Sequence, residues 1–188
     1  MQALHDPRLA STIVNASSTD VPTAYYRDDG RAAPHNLFAR TENLPTSDGA
    51  TPTEVFPRGA APSGGTTVAE RRVSFAAAAF DFRWSDRHWL VWTDGMSFTS
   101  TESGQLAAST VVVQQVRTHP ASYAEEAPGA IAPVAETVGS GKATVLRDGQ
   151  SFDATWSRPD AGSGTTFTTA VGAPLPLADG AVWVLLTP

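Results

Sequence analysis

The pair Asp148-Gly149 stands between two runs of alternating character, Lys142 to Leu146 and Ser151 to Trp156. Asp-Gly is the dipeptide a type I′ turn requires, because both central residues take positive φ and glycine does so without steric cost. Flanked in this way it specifies a β-hairpin and fixes its register. Phe152, Ala154 and Trp156 then share a face with Val145, and that face needs a sheet to be buried in.

The same two-residue period recurs upstream. Phe80, Phe82 and Trp84 alternate with Asp81 and Arg83. A four-residue loop over Ser85 to His88 sets Trp84 against Trp89 and Phe82 against Val91, so one face of the hairpin is aromatic and aliphatic. Phe80, Phe82 and Trp84 are expected inside, and Asp81 and Arg83 outside. Val111-Val112-Val113 within 109–117 is a β-branched run suited to a strand buried on both faces. A strand over 130–138 is held to an edge or a bulge by Pro133. Residues 165–169 add a strand, and Ala181 to Leu186 close the sheet.

The N-terminal part reads differently. Leu4, Leu9, Ile13 and Val14 fit a short helix over 4–14, capped by Asp6 with Pro7 in its first turn. A second short helix is expected over 34–40, opening at Pro34. Residues 45–66, with four prolines and Gly64-Gly65, read as a long irregular connection. The expected fold class is therefore α+β, mainly antiparallel β-sheet with short N-terminal helices. Residues 1–66 form an N-terminal arm with short helices and a Pro/Gly-rich connection, and residues 67–188 form an antiparallel β domain.

Charge and composition exclude several classes of function. The net charge is −6 with no run of Lys or Arg, so a phosphate-tracking stripe is missing and nucleic acid is not an expected partner. There is no cysteine, which removes disulfides, thiolate nucleophiles and Cys-ligated metals. No apolar run reaches the roughly 20 residues of a membrane helix, and Met1 is followed by no basic and apolar leader. Every basic residue is arginine except Lys142, a bias of a GC-rich bacterial genome.

The densest charge lies in Arg27-Asp28-Asp29-Gly30-Arg31, followed by Pro34-His35-Asn36. As a site, Arg27 and Arg31 would hold an anion and His35 would act as acid or base. As a polar staple, Asp28 and Asp29 would cap a turn through Gly30, while an arginine pairs with a carboxylate and His35 and Asn36 hydrogen-bond backbone at the helix entrance. The candidate binding surface is Arg27, Asp28, Arg31, His35 and Asn36, with Asp94 and Trp92 as secondary candidates. The histidines at 5, 35, 88 and 119 have no zinc-site spacing, so neither metal nor cofactor is expected. Gly139-Ser140-Gly141-Lys142 departs from a phosphate loop, because Glu136 stands at its first glycine and Ala143 follows the lysine. Of the five tryptophans, Trp84, Trp89 and Trp156 fall on inward faces. Trp92 falls on the opposite face of its hairpin.

Tyr26-Arg27-Asp28, then Arg31, then Pro34-His35-Asn36-Leu37-Phe38 resemble the YerB-like bacterial lipoproteins, a largely uncharacterised extracytoplasmic family. Asp94-Gly95, Ser103-Gly104, Val111 to Val113, Gly139-x-Gly141-Lys142-Ala143, Asp148-Gly149, Trp156, Gly172 and Gly180-x-x-Trp183-Val184 follow in that family's order. The resemblance implies a lipid-anchored protein of the cell envelope with a binding or scaffolding role. It also implies two partners: the N-terminal half of the full-length protein and an envelope component. The family's larger first half precedes the point where this sequence starts. Phe98, Ser100 and Thr110 stand in a stretch where the family carries an acidic residue and an asparagine. The alternative is an envelope hydrolase using His35 with Asp28 or Asp94.

Overall fold

The computed structural model describes residues 16–33, 35–45, 55–100, 102–121 and 133–188. The chain divides into two compact units, Met1–Thr53 and Glu54–Pro188. The helix expected over 4–14 lies outside the described residues.

The first unit is built on a small hairpin, β1 (Tyr25–Arg27) and β2 (Leu37–Ala39), paired Tyr25↔Ala39 through Arg27↔Leu37. Single 3-10 turns flank it at Pro22–Ala24 and Thr41–Asn43. The helix expected over 34–40 is thus a strand. A run as short as Leu37-Phe38 has no period of its own, and contacts across the hairpin decide its state. The Tyr26 and Phe38 rings stack at 5.7 Å, Arg40 lies 4.4 Å over Tyr26, and Arg31 lies 5.3 Å over Phe38. Two arginines therefore sandwich the ring pair, each against the electron-rich face that attracts a cation.

The second unit is all β among its described residues. Its first sheet has β4 (Glu70–Ser74), β5 (Ala79–Ser85), β6 (His88–Thr93) and β10 (Ala107–Ala108) in the order β10-β6-β5-β4, with β7 (Met96–Ser97) also on β6. Its second sheet runs β16-β15-β14-β11-β17: Thr166–Thr169, Gln150–Arg158, Gly139–Arg147, Thr110–Gln115 and Val182–Thr187. A short strand, β3 (Thr66–Thr67), adds to β15. Pairing is antiparallel except that β17 lies parallel to β11. Two short pairs complete the unit, β8 (Thr99–Ser100) with β9 (Gly104–Gln105) and β12 (Thr118–Pro120) with β13 (Pro133–Ala135). The fold is therefore mainly β rather than α+β, for no α-helix occurs among the described residues.

The second sheet has a core on each face. On one face Val111, Leu146 and Leu185 meet Val73, Phe82, Trp89, Val91 and Ala108 of the first sheet. On the other, Val112, Val145, Phe152, Ala154, Trp156 and Phe167 are covered by Leu175 and Leu177, with Phe56 and Ala61 packed alongside. β11 is buried on both faces, as its β-branched run requires. Burying each large side chain fully contributes about 1.5–3 kcal/mol. Residues 55–66, expected to be an irregular connection, cover this second core. Gly59 N–H donates to Leu177 O at 3.1 Å and Leu177 N–H to Pro57 O at 2.8 Å.

The turns hold the registers. Asp148 (φ 52) and Gly149 (φ 71) close β14–β15 with Arg147 opposite Gln150, the expected type I′ geometry. At β5–β6 the aromatic register is as expected, Trp84↔Trp89 and Phe82↔Val91. The ladder continues to Ser85↔His88, so only Asp86 (φ 49) and Arg87 (φ 66) make the turn. Phe82 is fully buried, while Phe80 and Trp84 are half-buried in the same core. Asp81 departs from expectation, being 3% exposed. It sits on an inner strand with Arg72 opposite on one side and Trp92 on the other. Both its carboxylate oxygens accept from Arg72 Nη1 at 3.0 Å, the pairing a buried carboxylate needs.

Candidate functional site

In the first unit the charged cluster is turned inward on its own hairpin. Arg27 Nη1 donates to Asn36 Oδ1 at 2.6 Å, and Asp28 N–H donates to Asn36 O at 2.9 Å. Asp28 Oδ1 accepts from Gly30 N–H at 2.9 Å, and its Oδ2 pairs with Arg31 Nε at 3.2 Å. Asn36 is buried, whereas Arg27, Arg31 and His35 are exposed. Among the described residues His35 has neither a hydrogen bond nor an ion pair, and no carboxylate orients it. The secondary candidates lie elsewhere. Asp94 is a turn residue (φ 50) whose Oδ1 accepts from Ala79 N–H at 2.8 Å. Trp92 is half-buried beneath the Arg83 guanidinium, 4.5 Å from its ring centroid.

The second unit has a different kind of polar gathering. Where its two sheets part beyond their shared core, a cleft of about 440 Å³ is lined by Arg71, Gln115, Lys142, Thr144, Asp153 and Thr155. The register explains the set. Thr144 faces Asp153 and Lys142 faces Thr155 across β14–β15, on the same side of the sheet as Leu146. Arg71 comes from β4, two residues before buried Val73, and so projects from the core-facing side of the first sheet. Lys142, Arg71 and Asp153 make no hydrogen bond or ion pair among the described residues. Solvent-exposed ions left this way cost the fold little and stay available to a ligand.

Sequence reading missed most of this cleft. Lys142, Thr144, Asp153 and Thr155 follow from the Asp148-Gly149 turn once its register is extended outward. Arg71 arrives from another sheet, and no local signal marks it. Among the described residues there is no cluster of His, Asp and Glu able to hold a metal ion, and no helix is long and apolar enough to cross a membrane.

Two β-sheets joined through one core, with an open polar cleft at their edge, define a mainly antiparallel β domain. The chain belongs to the family described as protein of unknown function (DUF3048), C-terminal domain, which matches residues 71–184. Its fold is similar to that in the crystal structure of the YerB protein from Bacillus subtilis, with a TM-score of 0.65 at 14% identity. The similarity covers 96% of this chain and 63% of that one, so the chain spans less than two thirds of that relative's length. No curated protein matches it.

Proposed function

We propose that the chain is a non-catalytic, extracytoplasmic binding domain of a lipid-anchored envelope protein, and that the cleft between its sheets takes a polar ligand bearing an anionic group. The observation that carries the binding reading is the pair of unpartnered cations, Arg71 and Lys142, converging on one cleft from different sheets. Gln115 and the threonine hydroxyls supply neutral donors and acceptors, and Asp153 accepts a hydroxyl or amine of the same ligand. The extracytoplasmic location rests on the resemblance to the YerB-like lipoproteins. The exposed Arg27, Arg31 and His35 make the surface we assign to contact with the remainder of the full-length protein.

The binding test uses triglutamate as an anionic probe and triglutamine as its neutral control, each followed by NMR titration. Triglutamate shifts the amides around Lys142 and Asp153 saturably. The double variant Arg71→Gln, Lys142→Gln weakens it by about tenfold or more, the scale of two charge-assisted contacts. Its unfolding free energy stays within the range of surface substitutions, about 0.5 kcal/mol. Equal binding of the two peptides, or no effect of the double variant, removes the cleft as the site. Location is tested separately, by protease accessibility of the full-length protein in intact cells.

A further inference from the structure

We propose a second ligand site, independent of the cleft: the cavity beside the Asp148-Gly149 turn binds a monocarboxylate, with Arg147 as its fixed cation. The cavity holds about 810 Å³ and is lined by Trp84, Arg87, His88, Ser109, Arg147 and Asp179, with Asp148 at its edge. Arg147 is 3% exposed, a rare placement for a guanidinium. Its Nε donates to Asp148 Oδ2 at 2.9 Å, and its Nη1 donates to Pro176 O. Nη2 has no partner among the described residues. It is not sealed either, for the one buried side-chain polar atom without a partner is Trp89 Nε1.

That combination points to a ligand. Taking a guanidinium out of water is costly unless its donors are used. Two of the three nitrogens are tied to the protein, which fixes the plane of the group. The third is left without a protein partner among the described residues, and the residue lines a cavity large enough for a small molecule. A carboxylate oxygen is a charged acceptor that this one remaining nitrogen suits. The surrounding charges set its valence. Arg87 and Arg147 are offset by Asp148 and Asp179, with His88 the remaining titratable group. These four charges cancel, so the two carboxylates repel a phosphate dianion more strongly than a monoanion.

The test titrates the intact chain with N-acetylglycine, N-acetylglycinamide and inorganic phosphate, following backbone amides and the arginine Nε–H signals by NMR. N-acetylglycine shifts Asp148, Gly149 and the Arg147 side chain saturably. The uncharged amide and phosphate each bind about tenfold more weakly or less, as expected for the loss of a charge-assisted pair. Arg87→Gln, an exposed turn variant, weakens N-acetylglycine by about threefold, and Lys142→Gln leaves it unchanged. Arg147→Lys keeps the charge, loses the planar group whose other two nitrogens fix the third, and abolishes the saturable shift. Because that variant alters a buried group, the wild-type comparison of acid with amide is decisive alone. Equal shifts from the two, or shifts centred on Lys142 instead of Arg147, overturn the proposal.

Discussion

Two hairpins in this protein hold themselves together in opposite ways. β1–β2 has three paired positions and a loop bound by side chains: Arg27 to Asn36, Asp28 to Gly30 and Arg31, and arginines over both rings. β14–β15 has nine paired positions, closes on Asp148-Gly149 and is packed on both faces. In the short hairpin, Arg27, Asp28, Arg31 and Asn36 are bonded within the loop, and His35 is not. In the long one, ladder and burial fix the register, and Lys142 and Asp153 are left without partners. The densest run of charge is thus largely bonded within its own loop. The available charge is spread across distant strands.

Four substitutions in or beside these hairpins would break or sharpen that contrast. The largest effect is expected at the tight turn. Gly149→Val forces a β-branched residue to φ 71 and brings its Cβ to 2.8 Å from Trp84 Nε1. A loss of about 2–4 kcal/mol is expected from left-handed strain plus overpacking, read as a shift in the urea midpoint. An unchanged midpoint would mean that the turn does not govern the register. Next is the side-chain staple. Asn36→Ala should cost about 1 kcal/mol, the net worth of a hydrogen bond, seen as faster amide exchange in β1 and β2. Arg31→Gln, whose ion pair is exposed, should cost less. If Asn36→Ala leaves exchange unchanged, the short hairpin does not depend on its polar contacts.

The smallest effect lies in the loop after β15. There the Ser163 hydroxyl, with the Gly162 amide and others, holds the Asp160 carboxyl below its ordinary value. A depressed carboxyl stabilises the fold above its unfolded pKa, and that contribution is lost as pH falls through the folded value. Asp160→Asn should therefore remove a slight acid-side decline in melting temperature. A larger decline in the variant would show the sign to be wrong.

Legibility in the sequence followed the range over which each cause acts. The Asp148-Gly149 turn was readable because its chemistry is local to two residues. The Asp86-Arg87 turn was not, since nothing in either side chain announces a positive φ. There the packing of Trp84 against Trp89 at 5.1 Å favours a register that the turn must follow. Asp81 was misplaced because alternation tells which face a residue is on, not what its strand neighbours lay over it. The segment 55–66 looked irregular because it pairs through an isolated bridge, Arg58 with Leu177, and has no period. In the cleft, four residues were recoverable from one register, and Arg71 required knowing how two sheets meet.

The parallel pairing of β17 with β11 has a consequence for the order in which this molecule can be made. β11 is the strand on which both cores lean, yet one of its neighbours is separated from it by all of β12 through β16. Hairpins such as β5–β6 and β14–β15 can zip as soon as they are synthesised, because their loops are short. The central strand keeps a bare edge until Val182–Thr187 has been added. Leu185, a member of the shared core, is missing until then. Contacts this distant in sequence slow the search for the native state and leave a sticky intermediate. The shared core is complete only once this last strand is in place.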